Sequence, residues 1–257
     1  MKKFAINYGD TIQLGDHVLL CGDSRDRELM ASRLHGRTIS LIVTDPPYGV
    51  GYVEGKSAFT KSIGRHKPIA NDHLQSDDEY RVFTRAWLEA VRPFLTRKNA
   101  AYIFGSDKML FALRDGLVDA GWKFGQLLIW IKTQAVIGRL DYLPQHELII
   151  YCWQGVHEFM KAKDKSVIVH PKPARSAAHS TMKPVGVIRR LILNSSRTRD
   201  TVYDPFLGSG TTLLACEQTK RRCIAVEIDP EYCRVVVDRF TKLTGIEPVR
   251  VPSPATA

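Results

Sequence analysis

The sequence predicts an α/β fold of about seven mostly parallel strands with helices on both faces, in a single domain spanning 1–257. Two observations predict it. Short apolar runs alternate with longer segments of helical period, the pattern of a parallel sheet covered by helices. With 257 residues and 44% hydrophobic content, the chain can also bury one sizeable core.

In chain order, the apolar runs place strands at 18–23, 39–45, 100–105, 125–131, 147–153, 201–206 and 223–228. Helices are expected between them at 26–35, 77–92, 107–120, 184–196, 210–219 and 230–243. Ser76 and Glu79 have capping-box spacing at the start of the second helix. Pro184 and Pro230 suit first-turn positions of their helices. Residues 49–75 break the alternation: they contain glycine, are basic and aperiodic, and read as a mobile loop. Residues 154–182 carry Lys161, Lys163, Lys165, Lys172 and Arg175 among few apolar neighbours.

The formal net charge is +10, which makes polyanions plausible partners. The five cysteines form no C-x-x-C pair, and Cys21, Cys152 and Cys223 lie inside apolar runs, so they read as reduced core residues. The N-terminus has no long apolar segment, and no run approaches the ~18 apolar residues of a membrane span. A cytoplasmic protein with no membrane partner is expected. No H-x-x-H or H-E-x-x-H spacing suggests a metal.

The stretch "VYDPFLGSGTTLLACEQTKRRCIAVEID" is strand, glycine turn, helix, strand, acid. Gly208 and Gly210 allow a sharp turn and close approach to a ligand, and the following helix N-terminus offers free N–H groups. Glu227 follows Gly210 by 17 residues and ends the next strand, where an acid commonly binds ribose hydroxyls. No lysine follows Gly210, which disfavours a Walker loop, and Leu213 stands where a dinucleotide site would want a third glycine. S-adenosylmethionine fits better, because Asp204 could meet the cationic amino group of its amino-acid tail.

A second stretch, "IVTDPPYGV" at 42–50, ends a buried-type strand with an acid, two prolines and an aromatic ring. Asp45 would face the crevice at the carboxyl end of the sheet. Pro46 and Pro47 fix φ and remove two donors, so their turn offers only acceptors. Asp45 and the Pro46 carbonyl could then accept both N–H bonds of a nucleobase amino group, leaving its lone pair aimed at a sulfonium methyl. Tyr48 could stack on a base that has left the helix.

With both segments in view, the sequence resembles the DNA amino-methyltransferases of the permuted β group, from about residue 15 to 243. The ordered set carries the resemblance: "LLCGDS", "DPPY", "LIWIK", "YLPQHELIIY", "HSTMKP" and "DPFLGSGTT". It is most similar to small phage-type or solitary bacterial enzymes. The resemblance implies a Rossmann-like S-adenosylmethionine-dependent methyltransferase fold with Asp45, Pro46, Pro47 and Tyr48 as the catalytic segment. It also implies that Asp23 and Ser24 border the cofactor adenine and that Lys183 helps hold the methionine end. The expected cofactor set is completed by Asp204, Phe206, Gly208, Ser209, Gly210, Thr211 and Glu227.

In this family D-P-P-[YF] usually accompanies adenine methylation at the exocyclic N6, so Asp45 favours adenine in duplex DNA. Cytosine N4 stays open as the alternative, because both bases present an N–H₂ group. A noncatalytic nucleic-acid-binding subunit is disfavoured by the retained Asp45, Tyr48, Asp204 and Glu227, and an RNA methyltransferase stays as a less favoured alternative. DNA contacts are expected from a target-recognition region at 133–180, with Lys132, Arg139, Lys161, Lys163 and Lys165 reaching phosphates or bases. The 49–75 loop is expected to clamp the strand with Lys56, Lys61, Arg65 and Lys67. Family analogy adds a homodimer and, for restriction, a nuclease on a separate chain.

Overall fold

The computed structural model describes residues 4–49, 73, 75–135, 141–161, 163–171 and 182–252. Among them, ten strands form one sheet: Thr11–Leu14 (β1), His17–Cys21 (β2), Ile39–Thr44 (β3), Leu95–Gly105 (β4), Lys123–Ile131 (β5), His146–Trp153 (β6), Val167–Val169 (β7), Thr201–Asp204 (β8), Arg222–Glu227 (β9) and Val249–Val251 (β10). Their order is β10-β1-β2-β9-β8-β3-β4-β6-β5-β7. The central run from β2 to β4 is wholly parallel. β6 pairs antiparallel with both β4 and β5, and β1 pairs antiparallel with both β2 and β10.

The helices are Arg27–Leu34 (α1), Asp77–Val91 (α2), Leu110–Asp119 (α3), Val185–Ser195 (α4), Thr211–Thr219 (α5) and Pro230–Thr244 (α6). Successive strand residues point to opposite faces, so the sheet supports two cores. On one face Leu41 and Val43 of β3 join Ile188, Leu191, Leu213 and Phe240 from α4, α5 and α6. On the other, Ile42 joins Met30, Trp87, Leu88 and Leu113 from α1, α2 and α3. None of the described helices is long and apolar enough to cross a membrane.

All seven expected runs are strands, with ends set by local chemistry. β3 stops at Thr44 because Pro46 and Pro47 have no N–H to continue a ladder, and β8 stops at Asp204 before Pro205. β1, β7 and β10 were not expected. They have only 4, 3 and 3 residues, and they are strands because an existing edge pairs with them. β6 and β7 also make part of the expected recognition region a portion of the sheet.

The capping box of α2 is complete: Glu79 N–H donates to Ser76 Oγ at 3.3 Å, and Ser76 N–H donates to Glu79 Oε2 at 2.7 Å. Pro230 occupies the first turn of α6, behind an Asp229 cap that accepts from Glu231 N–H at 2.8 Å. Pro184 corrects the sequence expectation. It is the N-cap of α4 with ψ 130°, because its extended backbone lies one position before the helix. All five cysteines are buried and free.

Candidate active site

The parallel strands end together on one edge of the sheet, where ligands bind in α/β folds. β9 ends at Glu227, and the chain leaving β2 passes beside it, with Gly22 N–H donating to the Glu227 carbonyl at 2.9 Å. This brings the turn containing Asp23 and Ser24 alongside Glu227. β8 ends at Asp204 beside β9, and on its other side β3 ends at Thr44. Thr44 Oγ1 donates to Asp204 Oδ1 at 2.7 Å. The residue before Asp45 is thus bonded to the acid that opens the glycine turn.

The turn itself is built around two left-handed glycines. Gly210, the N-cap of α5, has φ +90°, and a Cβ there would lie 3.1 Å from Val236 of α6, so a side chain is disfavoured on two grounds. Gly208 has φ +54°, and the space beside it is open. Its N–H donates to Glu227 Oε2 at 2.8 Å, while Asp229 N–H donates to Oε1 at 2.9 Å. The Arg239 guanidinium donates to the Ser209 carbonyl and fixes the turn from behind.

Asp204 and Glu227 are both buried. Burial raises the Asp204 pKa to about 6 despite hydrogen bonds from Thr212, Thr44 and Phe206 N–H. Burial likewise raises Glu227 to about 7 against two backbone donors. The buried Ser24 hydroxyl has no hydrogen-bond partner among the described residues. Asp23 is held by Arg25, whose guanidinium meets both carboxylate oxygens, at 3.0 and 2.7 Å. The N-cap of α1 is Asp26, whose side chain accepts from Leu29 N–H at 2.9 Å. Phe206 is half-buried, its ring centroid 5.6 Å from both Phe83 and Trp87.

Across the Thr44 bridge the chemistry changes. Asp45 Oδ1 accepts from Tyr48 OH at 2.8 Å, and Asp45 Oδ2 accepts from Lys183 Nζ at 2.5 Å. Lys183 Nζ also lies 3.2 Å from Glu147 Oε2, and Lys132 Nζ lies 2.9 Å from Glu147 Oε1. The result is an alternating row of charges: Asp45, Lys183, Glu147, Lys132. Burial works against the Lys183 ammonium, but Asp45 and Glu147 outweigh it and raise its pKa. Burial also opposes the Glu147 carboxylate, which Lys183 and Lys132 nevertheless hold below its ordinary pKa. In Asp45 burial prevails over Lys183, and its pKa is raised. Burial, then the Asp45 charge, keeps Tyr48 a neutral phenol.

Comparison with known proteins assigns the family. A match to the N6/N4 DNA methylase family covers residues 39–238. The chain belongs to that family. Among curated relatives of this DNA methylase, the type II methyltransferase M.HpaI of Haemophilus parainfluenzae is 28% identical over 250 residues, 88% of this chain and 74% of the relative. M2.LlaDCHI of Lactococcus lactis subsp. cremoris is 23% identical over 235 residues, 83% and 86% of the two chains. Solved structures share the fold. The cytosine-N4-specific PvuII DNA methyltransferase has a TM-score of 0.72 at 17% identity, over 91% of this chain and 90% of its own. The M1.HpyAVI–SAM complex has 0.62 at 21%, over 86% and 98%.

The residues of this DNA methylase suit S-adenosylmethionine. Two buried acids without cationic partners among the described residues flank a glycine turn with open space, and the unpaired Ser24 hydroxyl lies beyond them. Lys183, expected at the methionine end of the cofactor, instead reaches Asp45. Lys132, expected on DNA, is buried, and its ammonium pairs with Glu147. Lys161, Lys163 and Lys165 are exposed. Asp164 between them is tied to Arg190 and Asn194 of α4, which fixes the segment that presents these lysines. Lys56, Lys61, Arg65, Lys67 and Arg139 lie outside the described residues, as does most of the 49–75 loop.

Sequence reasoning missed Thr44 and Glu147. Thr44 gave no signal, since a threonine ending a strand has many roles. Glu147 did: it is an acid opening the apolar run "ELIIYCW", as Lys132 closes the apolar run "LLIWI". Two opposite charges beside apolar runs on neighbouring strands would be costly to bury unless they met.

Proposed function

We propose that this DNA methylase transfers the methyl group of S-adenosylmethionine to the exocyclic N6 amino group of an adenine flipped out of duplex DNA. The observation that carries the reading is the Thr44–Asp204 bond. It joins the amino-accepting segment to the glycine turn, so donor and acceptor would meet across one residue.

The bound cofactor supplies a sulfonium methyl, an electrophile for a weakly nucleophilic amine. Asp204 accepts hydrogen bonds from its cationic amino group, and Glu227, with two oxygens already oriented by Gly208 and Asp229, accepts from the ribose hydroxyls. Asp45 and the Pro46 carbonyl accept the two N–H bonds of the base, directing the nitrogen lone pair away from its ring. With the cofactor bound, Asp45 and the Pro46 carbonyl would hold the amino nitrogen as methyl acceptor in place of the cofactor's sulfur, and the proton lost from the nitrogen would pass to water. Lys161, Lys163 and Lys165 would meet DNA phosphates.

The test is incubation with unmethylated mixed-sequence duplex DNA and methyl-labelled S-adenosylmethionine, followed by digestion to nucleosides and identification of the labelled one by mass, with Asp45→Ala alongside. N6-methyladenine that vanishes in the variant is expected. N4-methylcytosine would establish the second reading, which the likeness to PvuII DNA methyltransferase favours. No label on DNA with cofactor bound would overturn both.

A further inference from the structure

The proposed reaction asks Asp45 to accept a hydrogen bond from the incoming amino group, yet each of its oxygens already has one partner. Tyr48 OH holds Oδ1, and the Lys183 ammonium holds Oδ2 at 2.5 Å. The ammonium is the greater obstacle. As the N–C bond forms, positive charge develops on the base nitrogen, and a fixed cation on the same carboxylate opposes it while halving the value of Asp45 as an acceptor.

Lys183 cannot simply retreat to water. It is buried, with its Nζ 5.2 Å from the Phe104 ring centre and 5.6 Å from that of Tyr48, and an ammonium stranded there without a partner is strongly disfavoured. Besides Tyr48 OH, 3.4 Å from Nζ, one further carboxylate among the described residues lies within reach. Glu147 Oε2 is 3.2 Å from Nζ, is buried, and has no aligned hydrogen bond among the described residues. Its other oxygen is held by Lys132 at 2.9 Å. Lys132 is itself fixed, because its N–H donates to the Gln145 carbonyl at 2.8 Å and its own carbonyl accepts from Gln145 Nε2 at 3.0 Å. Glu147 therefore offers a preset, ionised and half-used acceptor beside the cation that blocks Asp45.

Resting on the methyl-transfer reading above, we infer that Glu147 is a positioning residue for that reaction: it draws the Lys183 ammonium off Asp45 when the target amino group arrives, so that Asp45 meets the base as a free carboxylate. The exchange takes only a rotation of the terminal bonds of Lys183, and the ammonium keeps a carboxylate partner throughout. In the base-free enzyme Lys183 holds the place of the base.

The experiment compares Glu147→Gln and Glu147→Asp in single-turnover methylation of mixed-sequence duplex DNA, with cofactor affinity and melting temperature measured on each. Glu147→Gln keeps the shape and an acceptor oxygen but loses the charge that attracts Lys183. Its transfer rate is expected to fall by about 10- to 100-fold with cofactor Kd unchanged. Glu147→Asp keeps the charge and is expected to retain most of the rate. Adding Lys183→Met to Glu147→Gln removes the blocking cation, so the double variant is expected to be faster than Glu147→Gln alone. A wild-type rate in Glu147→Gln, equal losses in the Gln and Asp variants, or loss of fold or cofactor binding in Glu147→Gln would each overturn the inference. Failure of the wild-type protein itself to methylate DNA would count against the function, and is a separate result.

Discussion

The site has two halves, each with a pair of acids, and the pairs are treated in opposite ways. Asp204 and Glu227 have no cationic partner among the described residues, and burial lifts them to about 6 and about 7. Asp45, just after β3, and Glu147, on β6, share the buried Lys183, and Glu147 also holds the buried Lys132. A half that is to receive a cationic ligand leaves its acids unpaired, while a half that is to receive a neutral base carries its own counter-ions. Under the proposed function, this contrast in charge matches a cationic cofactor to one half and a neutral base to the other.

The largest test of this contrast is at Asp45. Asp45→Asn keeps the shape but removes the anion that faces the developing charge, and methyl transfer should fall by about 10²–10³-fold while cofactor affinity changes little. Equal losses in both would mean that the two halves are not separable. Stability should separate them next. Lys183→Met leaves Asp45 and Glu147 buried without their shared cation, which should cost about 3–5 kcal/mol in denaturant unfolding. Asp204→Asn removes a charge that burial already opposes, so the cofactor-free protein should lose no stability, while cofactor Kd rises roughly 10- to 150-fold.

Acid pH should act on the cofactor half as the Asn variant does. Both acids have pKa values raised above their unfolded ones, so their contribution to folding is present below about pH 4 and is lost as pH rises through about 6 to 7. At neutral pH each buried carboxylate therefore costs on the order of 3 kcal/mol, which the cofactor's amino group at Asp204 and its ribose hydroxyls at Glu227 would offset. Cofactor affinity, followed by calorimetry, should weaken as pH falls from 7.5 to 5.5, and the cofactor-free melting temperature should rise over the same interval. A flat affinity profile would mean that neither carboxylate meets the cofactor as an anion.

The sequence made the cofactor half more legible than the catalytic one. Asp204, Gly208, Gly210 and Glu227 lie on one strand-turn-helix-strand unit, where spacing along the chain is spacing in the fold. The proposed catalytic half draws Asp45 from just after β3, Lys132 from just after β5, Glu147 from β6 and Lys183 from the approach to α4, and no local pattern joins them. Lys132 and Lys183 were consequently assigned to DNA and to cofactor rather than to each other's neighbour. The same logic holds for the strands: the seven with their own apolar run were readable, whereas β1, β7 and β10 depend on a partner's edge.

The smallest expected effect lies at the α2 N-terminus, remote from both halves. Ser76→Ala removes the side-chain acceptor for Glu79 N–H but leaves the Glu79 contact to Ser76 N–H, so about 1 kcal/mol of stability should be lost. α2 supplies Phe83 and Trp87, the rings packed on Phe206 beside the cofactor turn, and no residue to the charged row. Any functional trace of the substitution should therefore appear in cofactor affinity rather than in the single-turnover transfer rate. A transfer rate that falls while affinity holds would mean that α2 also positions the Asp45 segment. The backbone gives that outcome a route, since Gln75 N–H, next to the cap, donates to the Gly49 carbonyl at 2.8 Å, one residue beyond Tyr48.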